Sequence, residues 1–163
     1  RGHEVAVHTL THPGLYALSD KELAKELSED KKNLEERFGQ KMIGMAYPFG
    51  DCDERIMKAV SDQGLLYGRC VETTEKFDLP ENPLCWKGTC HHNNPKLMQL
   101  ADEFLSDGTD LRLFYVWGHS YEFDVDRSWA TMEDFCAKMA YREDVWYATN
   151  GEIVLWMKEN NLI

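Results

Sequence analysis

The sequence predicts an α/β fold in which the strands of a parallel sheet or barrel alternate with covering helices. Two observations carry that expectation. Short apolar runs of strand length alternate with amphipathic helical stretches almost throughout. The 163 residues are 43% hydrophobic and 12% aromatic, enough to bury one sizeable core and too short a chain for two ordinary domains. Residues 1–163 therefore read as a single domain, and disorder is excluded as the main state.

In chain order, Glu4 to Thr9 reads as a strand, with Val5 and Val7 alternating with Ala6 and His8. Ser19-Asp20-Lys21-Glu22 has the form of a capping box, in which Ser19 and Glu22 each satisfy a backbone donor of the other. The helix it opens carries Leu23, Leu27, Leu34 and Phe38 on one face, and Gly39 stands where it should stop. Met42 to Tyr47 is a second apolar run, closed by Pro48-Phe49-Gly50. Asp53 starts a helix with Ile56, Ala59 and Val60 inward and Gly64 at its end; Leu65 to Val71 follows as a strand.

Glu72 to Asn94 is the least regular stretch, rich in Pro, Cys, Trp and His. Asn94-Pro95 opens a helix as cap and first-turn proline, burying Leu97, Leu100, Ala101 and Phe104. Leu111 to Trp117 is the clearest strand and Gly118-His119-Ser120 ends it. Met132, Phe135, Cys136 and Met139 mark a helix, Val145 to Thr149 a strand, and Ile153, Trp156 and Met157 a last helix.

Charge narrows the partners. With 18 Lys and Arg against 29 Asp and Glu, the net charge of −11 argues against nucleic acid and anionic membranes, both of which need a basic surface. No apolar run approaches the roughly 18 residues of a membrane-spanning helix, so no membrane insertion is expected. The five scattered cysteines, an odd number, read as free thiols of a reducing compartment rather than a disulfide framework, which points to the cytoplasm. Nothing in the sequence speaks to oligomeric state.

In α/β barrels the chemistry sits on loops at the carboxyl ends of the strands. Three unusual groups fall at such ends here: His8 with His12, Tyr47-Pro48-Phe49-Gly50, and Gly118-His119. A metal needs neutral imidazole nitrogens converging at roughly 2.0–2.1 Å from one point, which two histidines four residues apart can provide on a strand or across a turn. The spacing fits two ordinary histidines as well. Tyr47-Pro48-Phe49-Gly50 is either a plain strand-ending turn or a rigid one that aims a backbone N–H at an oxyanion. His119 is a strand-end histidine suited to general acid work near neutral pH, with Glu122 placed to orient it. Cys85, Cys90, His91 and His92 form a rival metal constellation, although their spacing is not that of a zinc finger. Trp86, Trp117, Tyr121 and Trp146 can line a sugar site or simply fill the core.

Taken together, these residues resemble the polysaccharide deacetylase family, the NodB-homology or carbohydrate esterase family 4 domain. Gly2-His3-Glu4-Val5-Ala6-Val7-His8-Thr9-Leu10-Thr11-His12 is similar to its H-[ST]-x-x-H motif with the usual Gly-His-Glu lead-in. Ala46-Tyr47-Pro48-Phe49-Gly50 is similar to its third motif, in the form ending Tyr-Pro-aromatic-Gly. Leu113 to Asp124, with Trp117-Gly118-His119-Ser120-Tyr121-Glu122-Phe123, resembles the late histidine motif of a branch of bacterial homologues, and Val145 to Ile153 the close of such domains.

The resemblance implies a distorted (β/α) barrel and hydrolysis of N-acetyl, or in some relatives O-acetyl, groups from an acetylated carbohydrate. It implies that His8 and His12 bind a divalent metal, most often zinc, with cobalt, nickel or manganese as alternatives. It also implies that the Phe49 amide holds the oxyanion and that His119 protonates the leaving amine. Tyr47, Pro48, Gly50, Trp117 and Tyr121 would contact substrate, and Glu122 would orient the histidine. The family's first motif, Thr-Phe-Asp-Asp-Gly, supplies a third ligand and the general base. It does not occur in these residues, and the resemblance places it upstream of Arg1. The chain thus reads as N-terminally incomplete, lacking the first strand region, and as a poor catalyst by itself. Many relatives carry an Arg where Ala46 stands, which leaves the role of that Arg open. Two other readings stand beside the deacetylase: a catalytically inactive carbohydrate-binding domain, and an amide hydrolase for a small non-sugar substrate.

Overall fold

Ser19 decides where the first long helix begins. In a computed structural model of the chain, which describes residues 2–106 and 111–163, Ser19 accepts from the Glu22 N–H while the Glu22 carboxylate accepts from the Ser19 N–H. The helix α1 (Asp20–Phe38) runs from that box to Gly39, whose φ of 67° gives the left-handed stop the sequence predicts. Leu23 and Leu27 are buried, but Phe38 is 54% exposed, so the core covers only part of the expected apolar face.

Internal contacts divide the chain into two units. The first comprises Arg1–Glu72, Pro80–Lys87 and Tyr147–Ile163. In it β1 (Gly44–Ala46) pairs in parallel with β2 (Tyr67–Thr73), and β3 (Trp86–Gly88) completes a three-stranded sheet with order β1-β2-β3. The expected strand at Glu4 to Thr9 is reduced to one parallel bridge, Val7 with Met45. Val7 N–H donates to Gly44 O and Ala46 N–H to Val7 O, which is enough to hold His8 at the sheet edge. The helix α2 (Glu54–Asp62) starts on Asp53, whose carboxylate accepts from Ile56 N–H, and packs against α1. Val7, Leu23, Leu27, Met45, Tyr47, Ile56 and Val60 lie at the centre of this core. The last helix, α6 (Asn150–Glu159), also belongs to this unit.

The second unit comprises Thr73–Leu79 and Gly88–Trp146. Its sheet is minimal: β4 (Cys90–His91) pairs in parallel with β5 (Val116–Trp117). The strand expected from Leu111 to Trp117 is therefore two residues long. The reason lies in Thr89, whose hydroxyl accepts from Tyr115 N–H and donates to Leu113 O, taking ladder positions that a neighbouring strand would fill. The helix α3 (Leu97–Phe104) begins after, not at, Asn94-Pro95; Asn94 caps it from upstream by accepting from Lys96 N–H. It packs against α5 (Trp129–Met139), and Cys90, Leu97 and Leu100 form a small core beside Phe77, Phe114 and Phe135. A four-residue helix, α4 (Glu122–Val125), lies between β5 and α5 in sequence.

Val145 to Thr149 forms no strand. Thr149 instead caps α6 (Asn150–Glu159) in a second capping box with Glu152, and a capping residue leads out of extended pairing into a helix. The parallel strands and covering helices bear out the α/β class, whereas the described residues contain no closed sheet, so the barrel is not seen. Among the described residues no helix is long and apolar enough to cross a membrane.

Candidate active site

In the first unit, the histidine pair is fixed by hydrogen bonds to backbone. His8 Nδ1 lies 2.7 Å from Ala46 O. A carbonyl only accepts, so Nδ1 carries the proton and the Nε2 lone pair is left for another partner. Its backbone N–H donates to Asp30 on α1 at 2.8 Å. Burial lowers the His8 pKa; the Ala46 carbonyl works against it, and the nearby His12 and Arg69 charges add to the lowering. The ring is thus neutral near pH 7, the form that binds metals.

His12 comes back to His8 because the chain turns sharply between them. Thr9 and His12 both have positive φ (67° and 56°), and the buried Thr9 hydroxyl accepts from His12 N–H. The two imidazoles meet edge to face with centroids 4.7 Å apart, and Phe49 packs on His12 in the same way at 4.8 Å. The His8 tautomer is thus fixed by a backbone carbonyl, and the His12 ring stands beside it.

The Pro48–Gly50 turn is a single 3-10 turn in which Phe49 adopts φ 55°. Tyr47 and Pro48 are buried, so neither presents its side chain to a ligand as the sequence reading expected. Tyr47 instead anchors the turn: its N–H donates to Arg69 O, its hydroxyl donates to Leu84 O at 2.6 Å, and its ring lies over Gly68, where a Cβ would come within 2.5 Å of it. Phe49 is 65% exposed. The turn's own hydrogen bonds use the N–H groups of Gly50 and Asp51 and not that of Phe49.

In the second unit, one carboxylate oxygen gathers three imidazoles. Glu122 Oε2 lies 2.8 Å from His92 Nε2, 3.2 Å from His91 Nε2 and 3.1 Å from His119 Nδ1. It also accepts from the His119 N–H at 3.0 Å, while Glu122 N–H donates to His119 O. Burial resists ionisation of Glu122, but the hydrogen bonds from His92 and His119 and the His91 charge outweigh it and hold the carboxyl at about 2. Glu122 therefore contacts the ring it was expected to orient. His119 is tied through Nδ1, and its side chain is 46% exposed.

His91 and His92 reach this carboxylate through the sheet. His91 is the register partner of Trp117, and His92 N–H donates to Trp117 O. The His92 ring then lies against Gly118, where an added Cβ would sit 1.8 Å from its Cδ2. That contact, rather than room for a substrate, requires the glycine. The rival constellation of Cys85, Cys90, His91 and His92 is not assembled: Cys85 stands with Cys52 and Cys70, and His91 and His92 with Glu122. Burial lowers the His91 pKa, with the His92 charge adding to it against Glu122. Beside this cluster is a cavity of about 570 Å³ whose lining includes His92, Asn93, Asp126, Ser128 and Thr131. In two of the residues that line it, His92 and Ser128, the Nδ1 and Oγ atoms are buried without a hydrogen-bond partner among the described residues. Trp117 packs on His91 at 4.6 Å and Tyr121 on His119 at 5.4 Å.

The sequence profile of the polysaccharide deacetylase family matches residues 1–68, the stretch that holds His8, His12 and the Pro48–Gly50 turn. Over 64 residues the chain is 31% identical to chitin deacetylase 1 of Cryptococcus neoformans var. grubii, covering 39% of this chain and 14% of that protein. Among solved structures, a CE4 family pseudoenzyme from Bacillus anthracis aligns with a TM-score of 0.52 and 17% identity, over 85% of this chain and 43% of that one. A family 4 carbohydrate esterase from Streptomyces lividans, in complex with acetate, gives a TM-score of 0.44 and 15% identity, over 82% and 60%. The likeness to the pseudoenzyme speaks to the fold alone, and the chain spans less than half of its length. Residues 1–68 thus match the polysaccharide deacetylase family's profile, and a 64-residue stretch of the chain is similar to a curated chitin deacetylase of which it covers 14%.

Proposed function

We propose that this chain is part of a hydrolase that removes acetyl groups, N-linked or O-linked, from an acetylated carbohydrate. In this reading His8 and His12 hold a divalent cation, with zinc the first candidate for an imidazole site and cobalt, nickel or manganese as alternatives. When bound, the cation polarises the acyl carbonyl and activates a water. The Phe49 N–H, carried on a turn anchored by Tyr47, donates to the oxygen on which charge develops. His119, tied by Glu122 through Nδ1, presents Nε2 to give a proton to the leaving group.

The observation that carries the reading is the His8–Ala46 hydrogen bond, 2.7 Å long, within the family-matched stretch. It supports the tautomer whose Nε2 is free to take a ligand's place, and burial favours that nitrogen unprotonated. The unpartnered His92 Nδ1 and Ser128 Oγ support a hydroxyl-rich ligand at the second unit's cavity, since buried polar atoms need partners. Phe49 and Tyr121 supply exposed aromatic faces of the kind that pack on sugar rings.

Acetate release by the full-length protein from chitooligosaccharides and from acetylated xylan tests the proposal. Release from either, abolished in His8→Ala and His12→Ala, is the expected result. Binding of these sugars without acetate release by metal-loaded protein would overturn hydrolysis in favour of a carbohydrate-binding domain. Release confined to small non-sugar amides would overturn the substrate class.

A further inference from the structure

A second cluster of metal-binding residue types lies in the first unit and plays no part in the proposed reaction. Cys52 follows the Pro48–Gly50 turn, Cys70 lies on β2, and Cys85 ends the Pro83–Cys85 turn. Although far apart in sequence, their sulfur atoms all lie within 4.8 Å of one another, and Cys70 Sγ is 3.3 Å from Cys85 Sγ. From this convergence we infer that Cys52, Cys70 and Cys85 form a three-thiolate site for a soft divalent cation, zinc in the first instance, separate from His8 and His12.

Three features support a metal over a chance gathering of thiols. The first is number: a disulfide uses two sulfurs, whereas three converging ones make most of a tetrahedral soft-metal shell. The second is spacing. A Zn–S bond of about 2.3 Å puts tetrahedral sulfurs about 3.8 Å apart, between the 3.3 Å pair and the 4.8 Å outer limit seen here. The third is electrostatic. Hydrogen bonds from Cys70, then Cys85 and Tyr47, bring the Cys52 thiol down to about 7. The hydrogen bond to Cys52 and burial push Cys70 well up and burial raises Cys85, so Cys52 is the thiolate an incoming cation meets first. Cys70 is buried while Cys52 and Cys85 are half-buried, so the group is reachable from outside yet shielded at its base.

The frame around the sulfurs is fixed before any ion arrives. The Tyr47 hydroxyl and the Cys52 thiol both donate to Leu84 O, and Cys52 N–H donates to the Tyr16 hydroxyl. Asn82 holds the Pro83–Cys85 turn by accepting from Leu84 N–H. A cation here would clip the loop carrying Cys52 to β2 and to that turn, steadying the segment that follows Phe49. Binding to the folded chain alone would raise its stability with cation concentration.

The test is titration of the full-length, fully reduced protein with Co²⁺ and then Zn²⁺. Thiolate-to-cobalt charge-transfer absorption is specific to sulfur ligands and blind to sites built from histidine and carboxylate. One such cobalt per chain is expected in the wild type and in the His8→Ala/His12→Ala protein, displaced by one equivalent of zinc that also raises the Tm. Cys70→Ser, Cys52→Ser and Cys85→Ser should each lose the band or weaken binding at least tenfold, while Cys90→Ser and Cys136→Ser should keep it. If Cys70→Ser does not fold, the variants of the half-buried Cys52 and Cys85 decide. Absence of the band in reduced wild-type protein, or its persistence in Cys52→Ser and Cys85→Ser, would overturn the site.

Discussion

Ala46 and Glu122 anchor the chain's two imidazole groups, and the anchors differ in kind. In the first unit a neutral carbonyl, Ala46 O, accepts a hydrogen bond from His8 Nδ1 and adds no charge. Burial then lowers the ring's pKa and leaves Nε2 unprotonated. In the second unit an ionised carboxylate gathers the donors of His91, His92 and His119 around one oxygen. In the proposed reading the carbonyl anchor serves a neutral ligand, and the carboxylate anchor serves His119, a ring that holds and releases a proton. The same side chain is thus prepared for two tasks by what its second nitrogen touches.

The largest expected effect removes the first anchor's product. His8→Ala or His12→Ala should reduce acetate release to the level of the blank, and His119→Ala should lower kcat roughly 10²–10⁴-fold while leaving the first unit's metal in place. Loss of that metal in His119→Ala would erase the distinction between the two groups, making His119 a ligand. Steady-state kinetics alongside metal analysis of each variant reads both.

Glu122→Gln sharpens the contrast through pH. The Glu122 carboxyl titrates at about 2 in the fold against an ordinary 4.5, so its ionised form contributes stability that is complete above the ordinary value and fades as pH falls from there to about 2. The variant should be less stable than wild type by about 1–3 kcal/mol near neutrality, with the gap closing across that window. Denaturant unfolding at a series of pH values checks it; a gap unchanged from pH 7 to pH 2 would mean the charge is not what holds the imidazoles.

Gly118→Ala presses on the same cluster without removing a titrating group. The new methyl would collide with His92, whose ring must shift, and a cost of about 1–3 kcal/mol is expected. A shift of the His92 and His119 resonances should accompany it, while His8 and His12 stay unmoved. Smallest is Ser19→Ala, which removes the α1 cap and should cost about 1 kcal/mol, read as a lowered denaturant midpoint.

What was legible in the sequence was local. The Ser19 box, the Gly39 stop and the Asp53 cap each depend on residues within a few positions, and each forms as expected. Strand lengths were not legible, because a strand is as long as its partner allows. Leu111 to Trp117 has the right residues, but Thr89 takes its ladder positions, and Thr89 lies 24 residues from Leu113. The Thr149-x-x-Glu152 box was visible in the sequence and outweighs the strand-like run before it. Within the candidate site, His8, His12 and the Phe49 turn stood out by motif. His91 and His92 reach Glu122 only through the pairing of β4 with β5, and Cys52 reaches Cys70 only through the fold. Neither neighbourhood leaves a trace in local spacing.

The central claim is that His8 is prepared as a neutral ligand by its bond to Ala46. Nitrogen NMR of the full-length protein with ¹⁵N-labelled histidine, assigned by the signal lost in His8→Ala, tests it during zinc titration at pH 7. A His8 ring protonated at Nδ1 before and after zinc, with the Nε2 resonance moving as the ion binds, is the expected result. A His8 protonated at Nε2, or an Nε2 resonance that zinc leaves in place, would contradict it.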